Sequence, residues 1–139
     1  LGAKCRNIRI ENPKTTTCVV AMDIDSKYAD VNIVEISGNK INLSVSNTDA
    51  GISMRRVIGT DTAPVNVFNN EVIINSDNAS SVGIKIGSAS KNMNIAYNTV
   101  NMNGNANSSA LWFNDKGIEN INVLNNIFMN KAGGYADRY

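Results

Sequence analysis

The chain has 139 residues, 13 basic and 12 acidic side chains, a net charge of +1 and no histidine. The missing histidine excludes a His-based triad, a His general base and an imidazole metal site. Charge is even along the chain, 8 basic to 7 acidic in residues 1–70 and 5 to 5 beyond, so no basic stripe points to nucleic acid or an anionic membrane. No apolar run approaches the roughly 18 residues of a membrane span. There are 24 Asn, 28 Ile plus Val, and only 4 Leu. β-branched residues favour strands and Asn favours turns and left-handed positions, so many short strands separated by Asn turns are expected.

In chain order, residues 1–30 hold two candidate strands, 7–12 and 17–22, that do not fit the later period and are taken as a degenerate first coil. Cys5 precedes the first of them and Cys18 lies in the second. A bridge between the two would suit a secreted or periplasmic protein; two separate thiols fit the sequence equally, since spacing does not show the geometry a disulfide needs. Asp23 and Asp25 alternate along one strand and would share a face. Two such carboxylates suit Ca²⁺ or a solvated surface, and the latter is preferred. No cofactor is otherwise called for.

From residue 31 an internal repeat organises the chain. Residues 34–41, 65–72, 93–100 and 121–128 each run apolar, polar, apolar, two variable residues, Asn, variable, apolar. Asn39, Asn70, Asn98 and Asn126 fall at the same step of each copy. A second strand recurs as Gly51-Ile52-Ser53-Met54, Gly83-Ile84-Lys85-Ile86 and Ala110-Leu111-Trp112-Phe113, with the alternation of a half-buried strand. Residues 75–81 and 103–109 carry loop signals. No segment shows a helical apolar period, so little helix is expected.

A leucine-rich repeat needs Leu at fixed steps and a propeller blade needs about 40 residues. Neither fits a period near 28. The fold expected is all-β: a right-handed parallel β-helix of about four coils, one domain over 1–139 with regular coils over 31–136. Successive coils would stack about 4.8 Å apart, piling the four Asn side chains into a structural ladder. Parity turns inward Val34, Ile36, Ile41, Ile52, Met54, Val65, Val67, Val72, Ile84, Ile86, Met93, Ile95, Val100, Leu111, Phe113, Ile121, Val123 and Phe128. Solenoids need polar caps, and residues 129–136 show none. The chain therefore reads as a segment of a longer protein, or as a stack whose ends a neighbouring domain or another chain covers.

The recurring apolar-Asn-apolar-x-x-Asn-x-Val unit resembles the repeats of the pectin-lyase-like parallel β-helix superfamily, over roughly residues 31–136. That resemblance implies an extracellular, cell-surface or periplasmic protein associated with polysaccharide. Asn47-Thr48-Asp49 and Gly51-Ile52 resemble pieces of the polygalacturonase pattern, as does Gly83-Ile84-Lys85-Ile86-Gly87-Ser88. Ala50 is inserted, Val82 stands in the place of a His, and the Asp-Asp pair is missing. Inverting hydrolysis needs two carboxyls, and Asp49 alone does not supply them.

Candidate polysaccharide contacts are Trp112, Lys85, Arg55 and Asp115, with no catalytic residue assigned. Alternation puts Trp112 on the outer sheet with Lys85 and Ser53, one coil apart each. An exposed Trp beside Lys suits a sugar ring with polar edge contacts; packing beneath the loop 103–109 or against another chain is the competing expectation. Three functions follow: a polysaccharide-binding segment, a polysaccharide lyase or glycoside hydrolase using Asp, Lys and Arg, or a structural solenoid of the tailspike kind.

Overall fold

A computed structural model describes residues 3–12, 20–25, 33–44 and 46–139. All regular elements among them are strands, arranged in five successive triplets. The first is β1 (Ala3–Arg6), β2 (Arg9–Asn12) and β3 (Val20–Asp25). The second is β4 (Ile33–Ser37), β5 (Lys40–Leu43) and β6 (Ala50–Arg55). The third is β7 (Val65–Phe68), β8 (Glu71–Ser76) and β9 (Val82–Gly87). The fourth is β10 (Lys91–Ala96), β11 (Thr99–Gly104) and β12 (Ser109–Phe113). The last is β13 (Glu119–Leu124), β14 (Ile127–Asn130) and β15 (Tyr135–Arg138).

Each triplet contributes one strand to each of three parallel sheets. The first sheet is β1-β4-β7-β10-β13, the second β2-β5-β8-β11-β14 and the third β3-β6-β9-β12-β15. Cys5, Ile36, Val67, Ile95 and Val123 form one column, at steps of 31, 31, 28 and 28 residues. The chain is thus a parallel β-solenoid of about four turns. The variation in step lies in the corners: residues 56–64 separate β6 from β7, whereas only residues 88–90 separate β9 from β10.

Inward parity makes the core. Ile36, Ile41, Ile52, Met54, Val67, Val72, Ile84, Ile86, Met93, Ile95, Val100 and Leu111 are buried. Phe113, Ile121, Val123 and Phe128 pack on the same cluster but stay half-buried; over the last three no further coil lies among the described residues, and over Phe113 only Tyr139 stacks, at 5.1 Å between ring centroids. Val34 is also half-buried. Leu43, Ile74 and Met102 form another buried column. They continue the alternation two residues past the eight-residue unit. Gly51 and Gly83 sit where coils approach closely: a Cβ on Gly83 would strike the Val100 side chain and lie 2.6 Å from the Ala110 carbonyl oxygen.

The four repeat asparagines stand in single file. The backbone N–H and Nδ2 of Asn39 both donate to Asn70 Oδ1, at 3.1 and 2.8 Å. Asn70 repeats this onto Asn98 at 3.1 and 2.8 Å, and Asn98 onto Asn126 at 2.9 and 3.0 Å. Each Nδ2 also reaches a carbonyl of the preceding coil, as from Asn70 to Ile36 O at 3.0 Å and Asn98 to Val67 O at 2.9 Å. In the first coil the ladder ends on the backbone N–H of Ile8, 3.0 Å from Asn39 Oδ1.

The expected loops 75–81 and 103–109 are shorter than their composition suggests. β8 runs to Ser76 and β11 to Gly104. Asn75 and Asn103 stay in strand because Asn103 Nδ2 donates to Asn75 Oδ1 at 2.8 Å, which with parallel pairing outweighs their turn preference. Asn78 and Asn105 do make turns, their Oδ1 atoms accepting from Ser80 N at 2.9 Å and Asn107 N at 2.8 Å. Cys5 is half-buried on β1; Cys18, and with it the choice between a bridge and two separate thiols, lies outside the described residues.

Candidate functional site

The outer face of the third sheet collects the sequence-predicted contacts. Asp23, Ser53, Lys85, Trp112 and Arg138 occupy one transverse row, one per strand. Asp25, Arg55 and Gly87 form the next row. Alternation puts both rows outward because Ile24, Met54 and Ile86 between them point into the core.

A cleft of about 280 Å³ opens over this face, and Arg55, Lys85 and Asp115 all line it, together with Asp23, Asp49 and Asn114. Each of its cations is paired with a carboxylate. Lys85 Nζ lies 3.1 and 3.2 Å from the two Asp49 carboxylate oxygens. Arg55 Nη2 donates to Asp23 Oδ2 at 2.8 Å. Arg56 holds Asp25 through Nε at 2.8 Å and through Nη2. Asp23 and Asp25 do share a face, but arginines of the next coil meet both; no group of three or more metal-ligating side chains occurs among the described residues.

Asp115 accepts from the Ser88 hydroxyl at 2.6 Å and from the Lys116 backbone N–H at 2.7 Å. The Ser88 bond first, then the Lys116 N–H, hold its carboxyl below the usual carboxylate range. Hydrogen bonds to the charged form favour it, so Asp115 stays an ionised acceptor.

Trp112 lies beside this cleft, half-buried. Lys85 Nζ sits 5.4 Å from its ring centroid and Arg138 Cζ 4.7 Å. The two cations come from the strands on either side of β12, so the indole stands between them. Arg138 also sits 5.3 Å from the Tyr135 ring centroid. Sequence reasoning assigned no role to Arg138 or to the partnership of Asp49 with Lys85. Register supplies the signal for Arg138, which follows Trp112 by 26 residues in the same row. The one-residue-shorter corner before β12 and a short last coil mask it. Asp49 lies at a corner, where alternation gives no direction.

Comparison with protein-family models, curated proteins and solved structures finds no match for this chain.

Proposed function

We propose that this solenoid belongs with the pectin-lyase-like β-helices, acts outside the cytoplasm, and binds polysaccharide across the outer face of its third sheet. The observation that carries this reading is the convergence of Arg55, Lys85 and Asp115 on one cleft with Trp112 alongside. Sugar hydroxyls both donate and accept. A surface of part-exposed carboxylates and cations offers acceptors and donors at short intervals. The Lys85–Trp112–Arg138 stack gives the apolar and cationic border. Specificity in such sites comes from a few placed polar groups rather than from area.

Isothermal titration of the protein with neutral and acidic oligosaccharides tests the reading. A Lys85→Ala or Trp112→Ala variant should bind about tenfold more weakly, the loss of one desolvated contact. Equal binding by wild type and both variants overturns it. Release of new reducing ends or of unsaturated sugar would reassign the face to a hydrolase or lyase built on Asp49, Asp115 and Lys85. Burial of Trp112 in a stable oligomer would favour a structural solenoid.

A further inference from the structure

The outer face of the first sheet differs chemically from the third over its last three coils. Asn66, Asn94 and Asn122 share one column. Asn122 Nδ2 donates to Asn94 Oδ1 and Asn94 Nδ2 to Asn66 Oδ1, each at 3.0 Å. Beside it Asn120 Nδ2 donates to Asn92 Oδ1, again at 3.0 Å. Two residues along the strands, Phe68, Ala96 and Leu124 make an apolar column. The ladders use one hydrogen and one lone pair of the Asn94 amide, which carries two of each, so regularly spaced donors and acceptors still face outward. Near this face Lys91 and Glu119 are paired at 2.8 Å at its margin, and Asp61 is a further, negative charge. A depression of about 190 Å³ lies along the amide columns, walled by Thr60, Asp61 and Pro64.

A second observation is independent of the ladders. The residue before each ladder position is left-handed in every coil: Asn7, Gly38, Asn69, Tyr97 and Asn125, with φ of 53°, 64°, 54°, 56° and 52°. Gly and Asn take this conformation readily, and a bulky side chain does not. Tyr97 alone breaks the pattern, and its ring is 61% exposed, beside Leu124 at 56%. Packing does not explain a strained, solvent-facing Tyr, and strain of this kind collects at functional positions.

We propose that this face is a second carbohydrate surface, taking a neutral β-linked glucan chain. The hydrogen-bearing face of a sugar ring would lie on Tyr97 and Leu124, and its equatorial hydroxyls would meet the open valences of Asn94 and Asn122. A flat chain with apolar faces and hydroxylated edges matches an apolar column running beside an amide column. An anionic chain finds no unpaired cation there. The inference goes beyond the third-sheet reading and stands without it.

The test is titration of wild type, Tyr97→Asn and Lys85→Ala with cellohexaose, and with an oligogalacturonate as charged counterpart. Cellohexaose binding at this face should persist in Lys85→Ala, which removes only a third-sheet contact, and fall at least about tenfold with Tyr97→Asn. The same Tyr97→Asn variant should melt about 2–4 °C higher, because Asn is at ease in the left-handed corner. No cellohexaose binding by wild type, or undiminished binding by Tyr97→Asn, overturns the proposal. So does a concentration-dependent dimer that Tyr97→Asn dissolves, which would assign the patch to protein contact. Binding lost in Lys85→Ala but kept in Tyr97→Asn supports the third sheet and overturns this second surface.

Discussion

Asn39, Asn70, Asn98 and Asn126 climb one corner of the solenoid, while Asn66, Asn94 and Asn122 climb the outside of the first sheet. Both files step from coil to coil, and both pass an amide hydrogen between neighbours at 2.8–3.0 Å. Their surroundings differ. Asn39, Asn70 and Asn98 are at most 1% exposed, and each also gives its backbone N–H and a second amide hydrogen to the stack. The outer amides keep water within reach. The same residue in the same geometry is therefore a structural rivet in one file and an available surface in the other, because an unmade hydrogen bond is expensive only where water cannot replace it.

The sharpest way to break this comparison is Asn70→Ala. It removes the acceptor for the Asn39 N–H and Nδ2 and the donor to Ile36 O and Asn98 Oδ1. With several buried groups orphaned, stability should fall by about 3–5 kcal/mol in chemical denaturation. A loss below about 1 kcal/mol would show that burial does not separate the two files. Next in size is Gly83→Ala, which tests how closely the coils must approach for the inner file to keep register. The added Cβ meets Val100 and the Ala110 carbonyl, and the expected cost is about 1–3 kcal/mol. Asn94→Ala, in the outer file, should cost less than about 1 kcal/mol by the same measurement. An effect equal to that of Asn70→Ala would erase the distinction.

The smallest expected effect is at the charged N-terminal end of the first sheet. Glu35 accepts two bonds from Arg6 at 2.5 Å and one from Ser37 at 2.6 Å. Arg6, then Ser37, lower its carboxyl pKa from 4.5 to about 2. A depressed folded-state value means that the contribution is complete above pH 4.5 and disappears as pH falls toward 2. Melting temperature followed across that window should fall more steeply for wild type than for Glu35→Gln. Parallel curves would show that the pair adds nothing, as many exposed ion pairs do.

Much of the architecture was legible before any coordinates. The recurrence of Asn39, Asn70, Asn98 and Asn126 at one step identified stacked coils, and alternation separated Ile84 and Ile86 from Lys85 and Leu111 from Trp112. Leu43, Ile74 and Met102 lie two residues past the eight-residue unit that ends at Val72 and its equivalents, and they continue its alternation. Composition reads Asn75 and Asn103 as loop because Asn is a turn former, and a ladder bond that only a stacked neighbour can supply keeps them in strand. The site was legible as a face but not as a set of contacts. Arg55, Lys85, Asp115 and Trp112 do share it. Nothing local announced that Asp23 and Asp25 would meet Arg55 and Arg56, or that Arg138 would close over Trp112.

The sequence by itself determined the period, the inward and outward parity of the strands and the file of buried amides, because each depends on spacing along the chain. Tertiary structure decided which outward groups touch: Lys85 with Asp49, Trp112 between Lys85 and Arg138, Tyr97 strained at its corner beside Leu124. Those meetings depend on the register between coils. Corner length and close packing set that register, and a repeat pattern alone leaves it open.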